Sequence, residues 1–403
     1  MFASTIEELG FIRNPQDPDL YIRARTRDNG DPYYEILLVY VDDLLIVNTD
    51  PRKTLEQILS KGNYELKPGS DEEPSIYLGG NIGKHEFEND PIPKWTCSAE
   101  KYLGNALENA KRYLEPKGII IREKKNVLPP EYHPELDESP YLDEDDATWY
   151  SQQVGVLQWA VELGRVDICT ETNVLSSFRA APRRGHMEAV VHVLGWLKKH
   201  IKSKLVFDDA QPDLAEDVRE FRPEEWKDFY DNVTEEIPRD CPEPRGPPVR
   251  QLVYVDADLA GCHATRRSRT GILMFLNRAP VDWMSKRQPR VRPSTYASEL
   301  MALKIATEKV EAQRLKLRWM GVNIDGPAEI RCDNQSVVFS ASRPESALKK
   351  KTECINYHYV RERAAMGIIQ VYYVRTDDNL ADVLTKLQPG TKRLTLCKHF
   401  MFK

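Results

Sequence analysis

Apolar residues along this chain follow two patterns: short runs of branched and aromatic residues typical of strands, and longer stretches with helical spacing. In the first half, the strand pattern falls at 36–41 and 44–47, and the helical pattern falls at 98–113, 150–168 and 185–200. From 252 onward the pattern predicts three strands with short connections, which favours an antiparallel meander, then a long helix and then alternating strands and helices. The strands are predicted at 252–255, 271–276, 281–284, 328–332 and 368–374, and the helices at 295–319, from about 336, at 348–366 and at 379–387.

Composition and length describe a folded chain of more than one domain. Hydrophobic residues make up 41% and charged residues 30% of the 403 positions, which is typical of a globular protein of two or three domains. The longest apolar run, 36–41, is too short to cross a bilayer, so we expect no membrane partner. The seven cysteines are scattered, and no basic-then-apolar leader opens the chain. We therefore expect an intracellular protein, cytoplasmic or nuclear and not secreted.

Charge is divided unevenly along the chain, although the net charge is only −6. Residues 251–403 hold 26 Lys and Arg against 15 Asp and Glu, a net charge of +11, which leaves −17 for the preceding residues. A basic half favours contact with nucleic acid. The alternative is that the two halves simply attract each other.

Acidic residues stand at the ends or starts of the predicted elements of the second half. Asp256 and Asp258 end the first strand there, in the sequence LVYVDADLAG, and Glu299 lies one turn into the long helix. Asp333 follows the fourth strand, and Asp382 lies in the last predicted helix. Such strand ends converge on one sheet edge, and several acids around a point need cations, which predicts one or two Mg²⁺ ions, with Mn²⁺ as the alternative. Each acid taken singly is more often a cap or turn residue.

A second acidic pair stands at the tip of the predicted hairpin in the first half. Asp42 and Asp43 join the two strands of this hairpin. Two adjacent carboxylates on a rigid turn can hold divalent metals for phosphoryl transfer. The alternative is an ordinary turn, in which Asp is a common residue.

Motifs across nearly the whole chain resemble the Pol polyprotein of copia-type retrotransposons. YVDDLLI at 40–46 resembles the palm hairpin of the family's reverse transcriptase, and YLGGNI at 77–82 resembles its primer-grip hairpin. The motifs VDAD, RRSRTG, SELMA, DNQS and LAD with LTK, in this order within 252–403, are similar to the family's ribonuclease H domain. The helical stretches at 150–168 and 185–200 resemble the segments that lie between the two enzymes.

The resemblance implies an α/β ribonuclease H-like domain at 249–403, with a mixed five-stranded sheet and helices. Three regions would precede it: a partial α+β reverse-transcriptase palm at 1–95, a mainly helical thumb or connection region at 96–207, and an acidic, proline-rich linker at 208–248. The resemblance also implies cleavage of the RNA strand of an RNA–DNA hybrid with the help of two Mg²⁺ ions. Other proteins encoded by such elements are further candidate partners.

The resemblance assigns site residues to both enzymes. The catalytic and metal-binding acids of the ribonuclease H would be Asp256, Glu299, Asp333 and Asp382, with Asp258 in support. The catalytic acids of the polymerase would be Asp42 and Asp43. A reverse transcriptase needs a third carboxylate on an upstream strand, and the residues before Tyr40 offer no such strand. We therefore expect an incomplete and inactive polymerase.

Basic residues beside the acids are the candidate contacts with nucleic acid. They are Arg266, Arg267 and Arg269 after the first strand of the second half, and Lys286 and Arg287 after the third. The alternative is a solvated charged face. A ribonuclease H would read the shape of the hybrid and the 2′-hydroxyl rather than base sequence. The rival interpretation of the whole chain is a catalytically inactive transposon remnant, or a domesticated module that binds nucleic acid or protein.

Overall fold

The computed structural model describes residues 2–41, 43–62, 64–65, 72–88, 90–213, 220–348 and 351–402. The chain divides into two compact units, each built from three separate segments. Unit 1 consists of Met1–Pro74, Thr234–Arg250 and Glu308–Gly326, and unit 2 consists of Ser75–Val233, Gln251–Thr307 and Pro327–Lys403. Within the described ranges, no helix combines the length and the apolar character that crossing a membrane requires.

Both units contain helices and strands. The α-helices of the described residues are α1 Phe2–Glu8, α2 Pro51–Gly62, α3 Glu100–Leu114, α4 Glu144–Glu162, α5 Cys169–Ser176, α6 Arg184–Lys199, α7 Lys227–Tyr230, α8 Thr295–Trp319, α9 Gln335–Ser342, α10 Cys354–Ala365 and α11 Gly390–Cys397. The strands are β1 Ile12–Asn14, β2 Asp17–Thr26, β3 Pro32–Tyr40, β4 Asp43–Val47, β5 Ile76–Tyr77, β6 Gly80–Phe87, β7 Asp90–Ser98, β8 Lys204–Phe207, β9 Arg245–Val249, β10 Gln251–Asp258, β11 Arg269–Leu276, β12 Ala279–Arg287, β13 Val322–Ile324, β14 Ala328–Cys332, β15 Ile369–Tyr373 and β16 Met401–Phe402.

Unit 1 is organised around an antiparallel sheet with the strand order β1-β2-β3-β4. Its apolar side packs with Ile6 of α1 and Ile58 of α2 around Tyr21 and Leu37. The hairpin that the sequence predicts at 36–47 forms from β3 and β4, because their branched residues alternate between the two faces of the pleated strand. Its assignment to a polymerase palm stays a prediction.

Unit 2 contains the mixed five-stranded sheet that the sequence predicts, with the order β12-β11-β10-β14-β15. β10, β11 and β12 form the antiparallel meander, and β14 and β15 run parallel to β10. Every residue of β10 before Asp258 is buried, as is typical of a central strand covered on both faces. Because β10 and β14 are parallel, their carboxyl ends meet at the same edge of the sheet.

The regions 96–207 and 249–403 share one hydrophobic core in unit 2. Leu157 of α4 and Val190 of α6 belong to the same cluster of buried residues as Leu252 of β10 and Leu273 of β11. The last strand, β16, pairs with β8 and completes a second, antiparallel sheet with the order β16-β8-β7-β6-β5. The helical region is therefore part of the support of the mixed sheet. The chain passes from unit 1 to unit 2 after Arg250, and the domain boundaries expected from the sequence stay predictions.

The end of the chain differs from the prediction, because contacts distant in sequence override the helical pattern. Residues Leu380–Leu384 form a 3₁₀ helix in place of the α-helix predicted at 379–387. Asn379 begins it: its side chain accepts a hydrogen bond from the backbone of Ala381 and donates one to the carbonyl oxygen of Val255 in β10. This link ties the segment to the end of the sheet. The predicted helix at 348–366 begins later, as α10, and α11 was not predicted.

A buried ion pair joins α5 to α11. Arg393 and Glu171 form this pair, and both side chains are 0% exposed. Arg393 also donates a hydrogen bond to the carbonyl oxygen of Asp167 at 2.6 Å. Burial raises the pKa of Glu171 to about 7, because a desolvated carboxylate favours its neutral form. The pair holds the end of the chain against the helical region.

We expect Arg393→Met to lower the free energy of unfolding by about 3–5 kcal/mol at pH 8, because the Glu171 carboxylate stays buried without its cation. The loss should shrink at pH 5, since protonation of Glu171 then removes the buried charge. Urea unfolding followed by circular dichroism at both pH values measures the two differences.

The matched control is Arg184→Ala, which removes an ion pair with Glu188 in which both side chains are 73% exposed. This change should cost less than about 0.5 kcal/mol. An equally small effect of Arg393→Met at pH 8 would contradict the role given to the buried pair.

Candidate active site

Four carboxylates that are far apart in the sequence belong to unit 2 and come together at the edge where β10 and β14 end. Asp256 lies in β10 with 1% of its surface exposed, and Glu299, in the first turns of α8, is 3% exposed. Asp333 follows β14, and Val255, next to Asp256, is paired with Cys332, next to Asp333. Asp382 is contributed by the 3₁₀ helix and is 1% exposed.

Gly271 allows the 3₁₀ helix to approach the sheet closely. It lies in β11 opposite Asp256. A Cβ at this position would come within 2.7 Å of the Thr385 side chain and 2.9 Å of the carbonyl oxygen of Ala381, closer than real Cβ atoms approach. A larger residue would push the segment that carries Asp382 away from β10. This glycine thus sets the distance between two of the four acids.

Two lysines neutralise part of the acidic cluster. The Lys386 ammonium lies 2.7 Å from Asp382 Oδ1 and 3.3 Å from Asp256 Oδ2. Lys392 contacts the other carboxylate oxygen of Asp382 at 2.9 Å, and the Thr385 hydroxyl donates a hydrogen bond to Asp256. Burial opposes the charge of Lys386, but the two carboxylates outweigh it and raise the pKa of this lysine. Asp256 and Asp382 thus share one cation.

Among the described residues, no lysine or arginine forms an ion pair with Glu299. Its ligand atom lies within 4.8 Å of those of Cys332 and Asp333, and its Oε2 atom has no hydrogen-bond partner in the described part of the chain. Burial, followed by the charges of Asp256 and Asp333, raises the pKa of Glu299 to about 9. Burial also raises the pKa of Asp256, with Asp382 and Asp333 adding to the effect. These interactions make the four acids one electrostatic cluster.

The donor set of the cluster fits a hard divalent cation. Carboxylate oxygens are the ligands that Mg²⁺ and Mn²⁺ take in proteins, and the bare Oε2 of Glu299 offers one that is already desolvated. The neighbouring Cys332 thiol does not compete, because burial raises its pKa well above the usual value and keeps it neutral. Metal binding by the four acids stays a prediction.

The remaining acids of the sequence analysis lie elsewhere or support the fold. Asp258 accepts a hydrogen bond from the backbone of Arg269, and burial raises its pKa to about 6. It therefore shapes the loop after β10. Asp43 is exposed at the start of β4 in unit 1, and Asp42 lies outside the described residues.

The basic residues divide into exposed and buried positions. Arg266, Lys286 and Arg287 are exposed, and Arg267 is half-buried. The prediction that Arg269 contacts nucleic acid does not fit the structure, because only 9% of its surface is exposed. Its guanidinium donates hydrogen bonds to Asn173 and to Ser285, which gives it a structural role between the sheet and α5.

A cavity of about 320 Å³ lies beside the acidic cluster. Thr385, Lys386 and Asp258 line it, together with Arg267 and Arg287.

The sequence analysis did not identify Lys386 and Lys392 as the cations that pair with the acidic cluster. The spacing of Lys386, four residues after Asp382, could have indicated the first of these pairs, since residues four apart on a helix are neighbours.

We expect Glu299→Gln to be more stable than the wild type in EDTA at pH 7, by on the order of 2 kcal/mol. The folded-state pKa of Glu299, about 9, lies above its unfolded value, so protonated Glu299 stabilises the fold at low pH. This contribution is lost as the pH rises through the folded pKa. The advantage of glutamine should therefore vanish near pH 4 and grow toward pH 9, as measured by thermal unfolding.

The control for this substitution is Glu345→Gln, at an exposed position. It should show no such pH dependence. A Glu299→Gln variant that is less stable than the wild type at every pH would mean that the carboxylate is satisfied without a metal.

Comparison with known proteins finds relatives along nearly the whole chain. The retrovirus-related Pol polyprotein from transposon TNT 1-94 of Nicotiana tabacum is 26% identical over 407 residues, 99% of this chain. The retrovirus-related Pol polyprotein from transposon RE1 of Arabidopsis thaliana is 24% identical over 94% of this chain. An uncharacterized mitochondrial protein of Arabidopsis thaliana is 40% identical over 279 residues, 68% of this chain and 92% of that protein. The chain spans about a quarter of the two polyproteins, 26% and 22% of their lengths.

Solved structures match only part of the chain. The N-terminal ribonuclease H domain of rv2228c from Mycobacterium tuberculosis covers 37% of it, at 15% identity and a TM-score of 0.28. LC11-RNase H1, solved in complex with an RNA/DNA hybrid, covers 34% at 16% identity and the same TM-score of 0.28. No protein-family model matches. The curated relatives that are similar to this chain along nearly its whole length are retrovirus-related Pol polyproteins of copia-type retrotransposons.

Proposed function

We propose that the four-acid cluster is the active site of a Mg²⁺-dependent ribonuclease H that cuts the RNA strand of RNA–DNA hybrids. The observation that carries the proposal is Glu299, a buried carboxylate with a bare oxygen beside Asp256 and Asp333. A protein keeps such a group at a cost in stability, and a divalent cation is the partner that removes the cost. Similarity to the Pol polyproteins and the strand order of the mixed sheet support the same conclusion.

The four acids would hold one or two Mg²⁺ ions, with Mn²⁺ as a substitute. Bound ions of this kind activate a water and stabilise the leaving oxygen of a phosphodiester. Lys386 bridges Asp256 and Asp382, and a metal held by these two acids would compete with it for their oxygens. A lysine displaced in this way would be placed to contact a phosphate from the cavity that it lines.

The exposed basic residues supply the contact with the hybrid. Arg267 and Arg287 line the cavity beside the acids, and their sequence neighbours Arg266 and Lys286 are exposed. Contacts of this kind are made to phosphates, so binding should weaken as salt rises and should depend little on base sequence.

Cleavage of a labelled RNA–DNA hybrid in Mg²⁺ tests the proposal. The wild type should cut the RNA strand and leave single-stranded RNA and double-stranded DNA intact. Asp333→Asn should reduce the rate by at least about 100-fold, because the amide loses the charge that holds the metal. The matched control is Asp145→Asn, at an exposed position in α4, which should cut at the wild-type rate.

The rival function is a module that binds nucleic acid without cutting it. The two lysines already placed on Asp256 and Asp382 favour it, since they balance charge that a metal would otherwise balance. A wild type that binds the hybrid in a salt-dependent way, yet cuts no faster than Asp333→Asn, would replace the nuclease by this function.

The thermal stability of Lys386→Met, with and without Mg²⁺, distinguishes the two functions without an activity assay. In EDTA the variant should unfold at a lower temperature than the wild type, because Asp256 and Asp382 lose their shared cation. Addition of Mg²⁺ should raise its unfolding temperature more than that of the wild type, since no ammonium competes for the carboxylates. Lys398→Met, at an exposed position, is the control. An equal Mg²⁺ effect in all three proteins would speak against a metal between Asp256 and Asp382.

A further inference from the structure

A second group of metal-binding side chains lies in unit 2, apart from the four acids. His133, Glu135 and His263 each offer one ligand atom, and these atoms all lie within 4.8 Å of one another. Glu135 belongs to the 3₁₀ helix Pro134–Leu136, and His133 precedes that helix. His263 lies on the loop between β10 and β11, so the group joins two parts of the chain that are about 130 residues apart.

The three side chains are already held against one another. The imidazole rings of His133 and His263 stack with their centroids 3.8 Å apart and their planes at 22°. Glu135 Oε1 lies 3.5 Å from His133 Nδ1 and accepts a hydrogen bond from the backbone of His263 at 2.8 Å. The Glu135 side chain is only 13% exposed, and the His133 imidazole lies against it. A carboxylate so far withdrawn from water favours a cation beside it.

The donor types favour a transition metal. Imidazole nitrogen is a ligand that Zn²⁺ and its neighbours prefer, whereas Mg²⁺ takes oxygen. We propose that His133, Glu135 and His263 bind a divalent metal ion of the zinc class, at a site separate from the four-acid cluster. Donors about 2.0–2.1 Å from a tetrahedral ion lie about 3.4 Å apart, and each imidazole has to point a ring nitrogen at the ion, so one of the two stacked rings must turn out of the stack to complete the site. The site opens to the cavity that these residues line, which leaves the fourth position to a water.

A metal at this site would order the loop between β10 and β11. Ala260 and Arg266 of this loop have φ angles of 55° and 52°, in the left-handed region that residues with a Cβ adopt at a cost. Arg267, on the same loop, faces the cavity next to Lys386. The ion would hold this strained loop against the segment around Pro134 and so fix Arg267 in place.

Zinc binding by the full chain tests the site. After removal of metals with EDTA and dialysis, calorimetric titration with Zn²⁺ should show one tight site. His263→Ala, His133→Ala and Glu135→Gln should each weaken it by at least about 100-fold. The matched control is His85→Ala, in β6 and not among the three ligands, which should bind as the wild type does. Co²⁺ added in place of Zn²⁺ should give a tetrahedral absorption spectrum that His263→Ala abolishes.

Asp333→Asn distinguishes the two proposed metal sites in this experiment, because it changes only the four-acid cluster. It should leave the tight Zn²⁺ site intact. Loss of Zn²⁺ binding in this variant, or unchanged affinity in both His133→Ala and Glu135→Gln, would overturn the proposal. Glu135→Gln decides the matter if the histidine variants fail to fold, since glutamine keeps the size of the side chain and the oxygen that accepts from His263.

Discussion

Four carboxylates meet where β10 ends, and the fold of unit 2 has to balance the charge that their burial makes costly. The chain balances part of it itself, with Lys386 shared between Asp256 and Asp382 and with Lys392 on the other side of Asp382. It leaves Glu299 with a raised pKa and a bare oxygen. This incomplete balance is the physical reason to assign a divalent cation to the cluster.

The geometry of that cluster depends on packing far from it. Asn379 ties the 3₁₀ helix to β10, and Gly271 lets the helix approach β11. Farther along, Arg393 anchors α11 to Glu171 in the helical region. The region at 96–207 therefore does more than precede the mixed sheet, since its buried residues share the core on which the sheet and the last acid rest.

The cavity beside the cluster is lined by groups of different chemistry, among them Thr385, Asp258, His133 and His263. The two proposed metal sites differ in the same way, since carboxylate oxygens suit hard cations and imidazole nitrogens suit borderline ones. The loop between β10 and β11 carries both His263 and Arg267, which makes its conformation a common element of the proposed nucleic-acid contact and of the proposed transition-metal site.

The sequence by itself determined the local elements and the candidate acids. The limits of α8 at 295–319 and of β14 at 328–332 agree with the predicted ones. The spacing of apolar residues within an element, and the turn residues at its ends, are local properties that the sequence displays directly. Only the tertiary structure decided which partners those residues meet. The Lys386 bridge, the buried position of Arg269, the 3₁₀ form of 380–384, and the meeting of His133 with His263 all depend on contacts between residues far apart in sequence. Such contacts arise because side chains of different elements pack closely together, and they cannot be inferred from the spacing of apolar residues within one element.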